Sequence, residues 1–361
     1  MGQRVKWLDA AKGLGMILVL LGHAPREIMR VRYPGIDFAY YFIYTFHMHF
    51  FFFLSGYAAA LSFSRRSEQT FLSYLKGRVR GLLIPWALYS LLVYLAMFLV
   101  NEIPVLQRLT EGTFMQGMTF PAYLASCISG SNPYCTHLWY IYTLFMVQIL
   151  VFACQKIFGR ISGRHSSLGF YAVMEAAAVI GYFFLPVQLP VAVSVKGYIL
   201  YYLLGMIVMT YREKGRGGGF SPLFLAGPLL CAVNVLAVDM GMWQQPLGQN
   251  IISCICVFAG APLTIFLLVY AAEGIAEKSR GLLWLGNHSF AVYLLHQPLC
   301  CAILGTLLVL VLPRALIYDL LTMLLCVAMS VIVPMAVVKA GNRLGLGKMV
   351  NLLMGGRECE S

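Results

Sequence analysis

Apolar residues run along this chain in long blocks, separated by short polar stretches that are mostly basic. The first block, Trp7 to His23, follows Arg4 and Lys6 and ends on a histidine. At about 1.5 Å per residue it would be roughly 24 Å long as a helix, close to the hydrocarbon thickness of a bilayer. Nine further blocks predict spans, giving ten at about 7–24, 38–63, 81–100, 137–157, 168–186, 195–211, 221–240, 249–271, 282–311 and 314–338. The ninth is long for a single crossing, which predicts a kink at Pro298, a tilt, or a portion outside the lipid.

Composition agrees with the pattern. Of 361 residues, 60% are hydrophobic and 11% charged, with a mean hydropathy of +0.78. Soluble domains carry about 25% charged residues, so the expected fold is an all-α, polytopic membrane protein of about ten transmembrane helices. The net charge of +12 does not indicate a nucleic-acid partner, because the basic residues sit in short clusters between apolar blocks. With ten spans, one side of the membrane receives only Arg26, Arg30, Arg32, Arg108, Lys196 and Arg314 of the 26 Lys and Arg residues. The other side carries both termini, and its cationic excess makes it cytoplasmic. The first block has no small-residue cleavage site and reads as a span, not a signal peptide. Of the ten cysteines, most lie in apolar blocks; Cys127 and Cys135 share a polar loop and could pair if that loop is extracytoplasmic. No Cys/His spacing fits zinc, so no metal site is expected.

Three loops stand out. Ser64 to Arg80 is basic and long enough for an amphipathic helix along the membrane surface. Asn101 to Thr136 is the longest external segment, with Phe114, Phe120, Tyr123 and Tyr134 among polar residues, and could cover a site or hold a polar ligand. Gly215 to Gly219 reads as a hinge, lacking the Gly-Lys-Ser/Thr ending of a phosphate loop.

A histidine inside a membrane run must be solvated or paired, so His23 is either an interfacial polar residue or a proton-handling group. Asp9 is about 21 Å below it on the same helix and cannot orient it directly. A poorly hydrated pocket favours the neutral imidazole, whose lone pair can accept a proton. Arg78 and Arg80, with Lys76, precede Pro85; they are either cytoplasmic flanking charges or an anion site suited to phosphate. His47 and His49 stand at i and i+2 in an aromatic run, point in different directions and form no joint metal site. Ser55 lacks a Gly-x-Ser-x-Gly setting and, with Gly56, reads as a helix contact. His296 is a second intramembrane histidine near a proline. Trp139 begins the fourth span at the outer interface. Together His47, Ser55, Tyr57, Trp139 and His296 are candidates for lining a substrate pocket.

The stretches WLDAAKGLGMILVLLGH, FHMHFFFFLSGY, KGRVRGLLIPW, HLWYIYTLF and LGNHSFAVYLLHQPL occur in order over residues 7–298. In this the chain resembles the acyltransferase 3 family of bacterial membrane proteins, which includes glycan O-acetyltransferases. The resemblance implies ten core helices, acyl-CoA as cytoplasmic donor, an acceptor hydroxyl reached from outside, and no permanently bound cofactor. It makes His23 the catalytic histidine and Arg78 the first arginine of the donor motif; Arg80 and Lys12 join them as donor-binding candidates. The family's second arginine usually stands four residues before the proline, where this chain has Gly81 with Arg80 beside it. The implied protein is a single domain over 1–340 with a cytoplasmic tail at 341–361, in the bacterial inner membrane. Its expected reaction is transfer of an acyl group, acetyl first, to an extracytoplasmic or lipid-linked glycan, the pantetheine arm of the donor threading from phosphates inside towards His23. The rival reading is a proton-coupled transporter or flippase; the lack of an internal repeat and the scarcity of intramembrane acids such as Glu175 and Asp239 weigh against it.

Overall fold

A computed structural model describes residues 5–65, 69–104, 107, 116–129, 132–162, 168–215, 219–239 and 246–356. Arg4, Arg66, Arg108, Phe114, Arg164, Arg216, Gly217, Gly218 and Arg357 lie outside the described residues, as do the side chains of Arg65, Arg160 and Asp239. Among the described residues the secondary structure is helical throughout, without strands. That is the expected response of an apolar chain in lipid, where each backbone N–H and C=O must be satisfied within its own segment.

Each of the ten apolar blocks falls on helix, but the helices are not alike. Among the described residues six stretches are long and apolar enough to cross a membrane: Pro34–Phe63, Phe71–Asn101, Phe120–Phe158 (residues 130–131 of which lie outside the described residues), Pro190–Glu213, Ile251–Ile275 and Leu316–Arg343. Arg280–Leu295 and Leu299–Val311 form a further pair bent by 72° where Pro298 interrupts the ladder. Leu168–Phe184 and Pro222–Ala237 are apolar but shorter. Lys6–His23 has the length, yet Lys6, Asp9 and Lys12 place three charges in its first half.

Contacts divide the chain into two units, Met1–Leu61 with Tyr201–Met335, and Ser62–Leu200 with Ala336–Ser361. In the first unit, helix Lys6–His23 packs against Arg280–Leu295 and Ala261–Ile275. The approach to Arg280–Leu295 is backbone to backbone: a Cβ at Gly13 would run into the Leu282 carbonyl, and one at Gly286 into that of Asp9. Small residues are what permit helices to come this close. Gly56 and Gly205 do the same between helices His47–Arg65 and Pro190–Glu213, where a Cβ at Gly56 would meet the Tyr202 carbonyl and one at Gly205 that of Phe53. Phe50, Phe52 and Phe53, with Met16, Leu20 and Tyr202, fill the core between them.

In the second unit, helix Phe71–Arg78 starts at Thr70, whose hydroxyl accepts from the Ser73 N–H at 3.3 Å. It packs on Trp139–Ser162, and the C-terminal helix Gly347–Leu353 packs on Ile84–Asn101. The described part of the segment after Asn101 is packed. Tyr123 and Tyr134 are buried, Tyr123 stacks on Tyr94 at 4.4 Å, and Asn132 donates to the Ser90 hydroxyl at 2.8 Å. Cys127 and Cys135 are both buried free thiols.

Candidate active site

The first helix ends because Pro25 has no N–H to continue the ladder; the last bond runs from the Ala24 N–H to Leu20 at 2.9 Å. His23 therefore occupies the final turn. Lys12 stands eleven residues earlier, which at about 100° per residue is three full turns plus roughly 20°, so both lie on one helix face about 16 Å apart. Lys12 is paired with the buried Asp9 carboxylate at 3.2 Å.

Three side chains from elsewhere in the same unit gather round His23. Tyr44, the last residue of helix Pro34–Tyr44, brings its hydroxyl to 3.4 Å from His23 Nδ1. Gly22 makes room for that ring: a Cβ there would stand 3.1 Å from it. His47 opens the next helix, with its ring 4.7 Å from that of Tyr44. His296, fully buried just beyond Leu295, stands with its ring centroid 5.3 Å from that of His23.

The hydrogen bonds define how two of these rings are held. His47 Nδ1 meets the Ile43 carbonyl at 2.9 Å, and His296 Nδ1 meets that of Tyr293 at 2.8 Å. A carbonyl can only accept, so both rings donate through Nδ1 and, when neutral, carry the lone pair on Nε2. His23 thus has the oriented imidazole of His296 and the phenol of Tyr44 beside it, with the oriented His47 ring against that phenol; such groups can orient an imidazole and exchange protons with it.

Of the remaining pocket candidates, Tyr57 and Ser55 lie elsewhere in the same unit. Tyr57 packs edge-on against Trp7 at 4.8 Å, at the other end of the first helix from His23. That end also holds Arg212, which pairs with Glu273 and lies 5.6 Å from the Trp7 ring, beside a cavity of about 170 Å³. Ser55 sits one residue from the Gly56 contact. Trp139 belongs to the second unit, 5.0 Å from Tyr198. His49 faces Tyr201 at 4.3 Å.

Arg78 also belongs to the second unit. Its guanidinium donates to Gln148 Oε1 at 3.4 Å and lies 5.0 Å from the Tyr74 ring, which stacks on Phe152 at 3.9 Å. Lys156 approaches the same Phe152 at 5.4 Å. Arg80 is exposed, on a wide π turn over Val79–Leu83 whose last bond runs from Ile84 to Val79. Pro85 supplies no N–H for the Gly81 carbonyl, and a wide turn is one way a helix absorbs such a loss.

Tyr44, Tyr74 and Gln148 are not among the residues that the sequence pattern singles out. Gln148 carried a signal, being a polar residue within an apolar span; Tyr44 and Tyr74 had none apart from their aromatic neighbours.

A family model described as an acyltransferase domain, acyltransferase 3, matches residues 5–338. Neither the curated proteins nor the solved structures give a match.

Proposed function

The chain belongs to the acyltransferase 3 family and is an acyltransferase of the membrane, and we propose that it transfers an acyl group, acetyl first, from cytoplasmic acyl-CoA to a hydroxyl of an extracytoplasmic or lipid-linked glycan, with His23 as general base. The observation that carries this reading is the company of His23: the Tyr44 hydroxyl at 3.4 Å and the His296 ring at 5.3 Å, on a helix end held in place by close packing.

A sugar hydroxyl is a poor nucleophile at neutral pH, and a positioned base is worth about 10²–10⁴-fold. The imidazole takes the hydroxyl proton as the oxygen attacks the thioester carbonyl. The C–O bond forms, the C–S bond breaks, and the departing thiolate recovers a proton from the imidazolium. Arg78, with Arg80 and Lys12, is assigned to the donor. Arg78 supports this best, since it is half-buried among aromatic rings with a neutral hydrogen-bond partner, leaving its charge available to a phosphate. Lys12 supports it least, because Asp9 already neutralises it.

The same proposal takes all ten apolar helices as spans, both termini as cytoplasmic, residues 1–340 as one functional domain with a tail at 341–361, and the bacterial inner membrane as the location. Purified protein incubated with labelled acetyl-CoA and a glycan acceptor tests the reaction. Acceptor-dependent thiol release that disappears in a folded His23→Ala variant supports it. Full transfer by that variant, or proton-coupled uptake without thiol release, refutes it, and the second outcome indicates a transporter.

A further inference from the structure

Just past His23 the chain carries three arginines, Arg26, Arg30 and Arg32, in and before the short helix Glu27–Arg32. Two are neutralised. Arg30 pairs with Asp37 at 3.3 Å and lies 4.0 Å from the Tyr40 ring; Arg32 pairs with the buried Asp319 at 2.7 Å. Arg26 is different. It is half-buried, and its guanidinium has no ion pair or hydrogen bond to any described residue.

Its stem is nevertheless held. Arg26 Cδ lies 3.1 Å from where a Cβ at Gly305 would stand, and the Cys326 thiol lies 3.3 Å from the same point. A side chain at position 305 would therefore displace Arg26. Its aliphatic part skirts the buried cluster of Ala24, Cys301 and Cys326, and it stands three residues after His23, just beyond the end of the first helix. A cation beside a base opposes proton uptake unless an anion offsets it. A half-buried cation without a partner is also costly to maintain in an apolar unit. Both costs disappear once a carboxylate or phosphate occupies the guanidinium fork.

We infer that Arg26 is an anion-binding residue beside His23, and that the acceptor hydroxyl is carried on a molecule that also bears a carboxylate or phosphate. The anion site stands on this geometry alone; calling its occupant the acceptor rests on the proposed function. Binding is therefore tested without turnover, by thermal unfolding of the full chain in detergent. Sodium glucuronate and inorganic phosphate are the probes, with glucose and sodium chloride at matched ionic strength as controls.

The expected result is a saturable rise in Tm with glucuronate or phosphate, lost in Arg26→Gln, partly kept in Arg26→Lys and unchanged in Arg314→Gln. A glucuronate response identifies a carboxylate-bearing acceptor, and a phosphate response a phosphate-bearing one. A rise that survives Arg26→Gln, or no rise beyond chloride in the wild type, overturns the inference. Should Arg26→Gln fail to fold, phenylglyoxal labelling of the wild type, read at Arg26 by peptide mass spectrometry, replaces it. At least threefold protection by either anion supports the site; unprotected labelling, or no labelling at all, refutes it. An Arg26-dependent response in a protein that releases no thiol from acetyl-CoA would keep the anion site and remove the transferase mechanism.

Discussion

His23 and His296 face one another with ring centroids 5.3 Å apart and planes inclined by 47°, although 273 positions separate them in the chain. His296 is fully buried and oriented by the Tyr293 carbonyl, while His23 ends a helix and has the Tyr44 hydroxyl 3.4 Å from its Nδ1. An imidazole arranged in this way is held by neighbours as much as by its own backbone, and if His23 is the proposed base the two histidines should differ in their response to replacement. His23→Gln is expected to lower acceptor-dependent thiol release by about 10²–10⁴-fold. His296→Gln should lower the same rate by less, leaving the KM for acyl-CoA unchanged. Steady-state kinetics on the two purified variants distinguish a base from a residue that orients one.

Gly286→Leu should damage the site from a distance. Any Cβ there meets the Asp9 carbonyl, and backbone atoms cannot swing aside as a side chain can. Overpacking of this kind typically costs about 1–3 kcal/mol. It would also push the first helix away from Arg280–Leu295, widening the gap between His23 and His296. Thermal unfolding in detergent should show a lower Tm, and the surviving folded fraction should show a reduced turnover number.

Arg78→Gln tests the donor assignment. A hydrogen bond to a charged group contributes about 1.5–3 kcal/mol, so loss of a phosphate contact should raise the KM for acyl-CoA by roughly 10- to 150-fold. The turnover number at saturating donor should change little. An unchanged KM would return Arg78 to the role of a flanking charge.

Arg32→Ala should destabilise the first unit. It leaves the Asp319 carboxylate, with a side chain only 5% exposed, without its partner. Breaking a fully buried pair costs about 3–5 kcal/mol; Arg32 is one-quarter exposed, and screening lowers the expectation to about 1–3 kcal/mol. The double variant Arg32→Met with Asp319→Leu should recover most of the loss, because no isolated charge remains. Unfolding midpoints of the three proteins in one detergent provide the comparison.

The helices were legible because their cause is local. Apolar blocks require internal hydrogen bonding wherever they sit, and Pro25, Pro85 and Pro298 mark places where the ladder loses a donor. The spacing of Lys12 and His23 likewise puts both on one face by helix geometry alone. Which residues would meet was another matter. His47 and Tyr57 occur in one aromatic stretch, yet ten residues of helix carry them about 15 Å apart, one towards Tyr44 and His23, the other to Trp7. His296 reaches His23 only because Gly13 and Gly286 let two distant helices touch, and Arg26 keeps its line past Gly305 only because that position has no side chain. By itself, then, the sequence determined where the chain is helical, where helices stop and which residues share a face, since those follow from backbone hydrogen bonding within a segment. Tertiary structure alone decided the neighbours of His23, since that depends on which surfaces lack the side chains that would hold them apart.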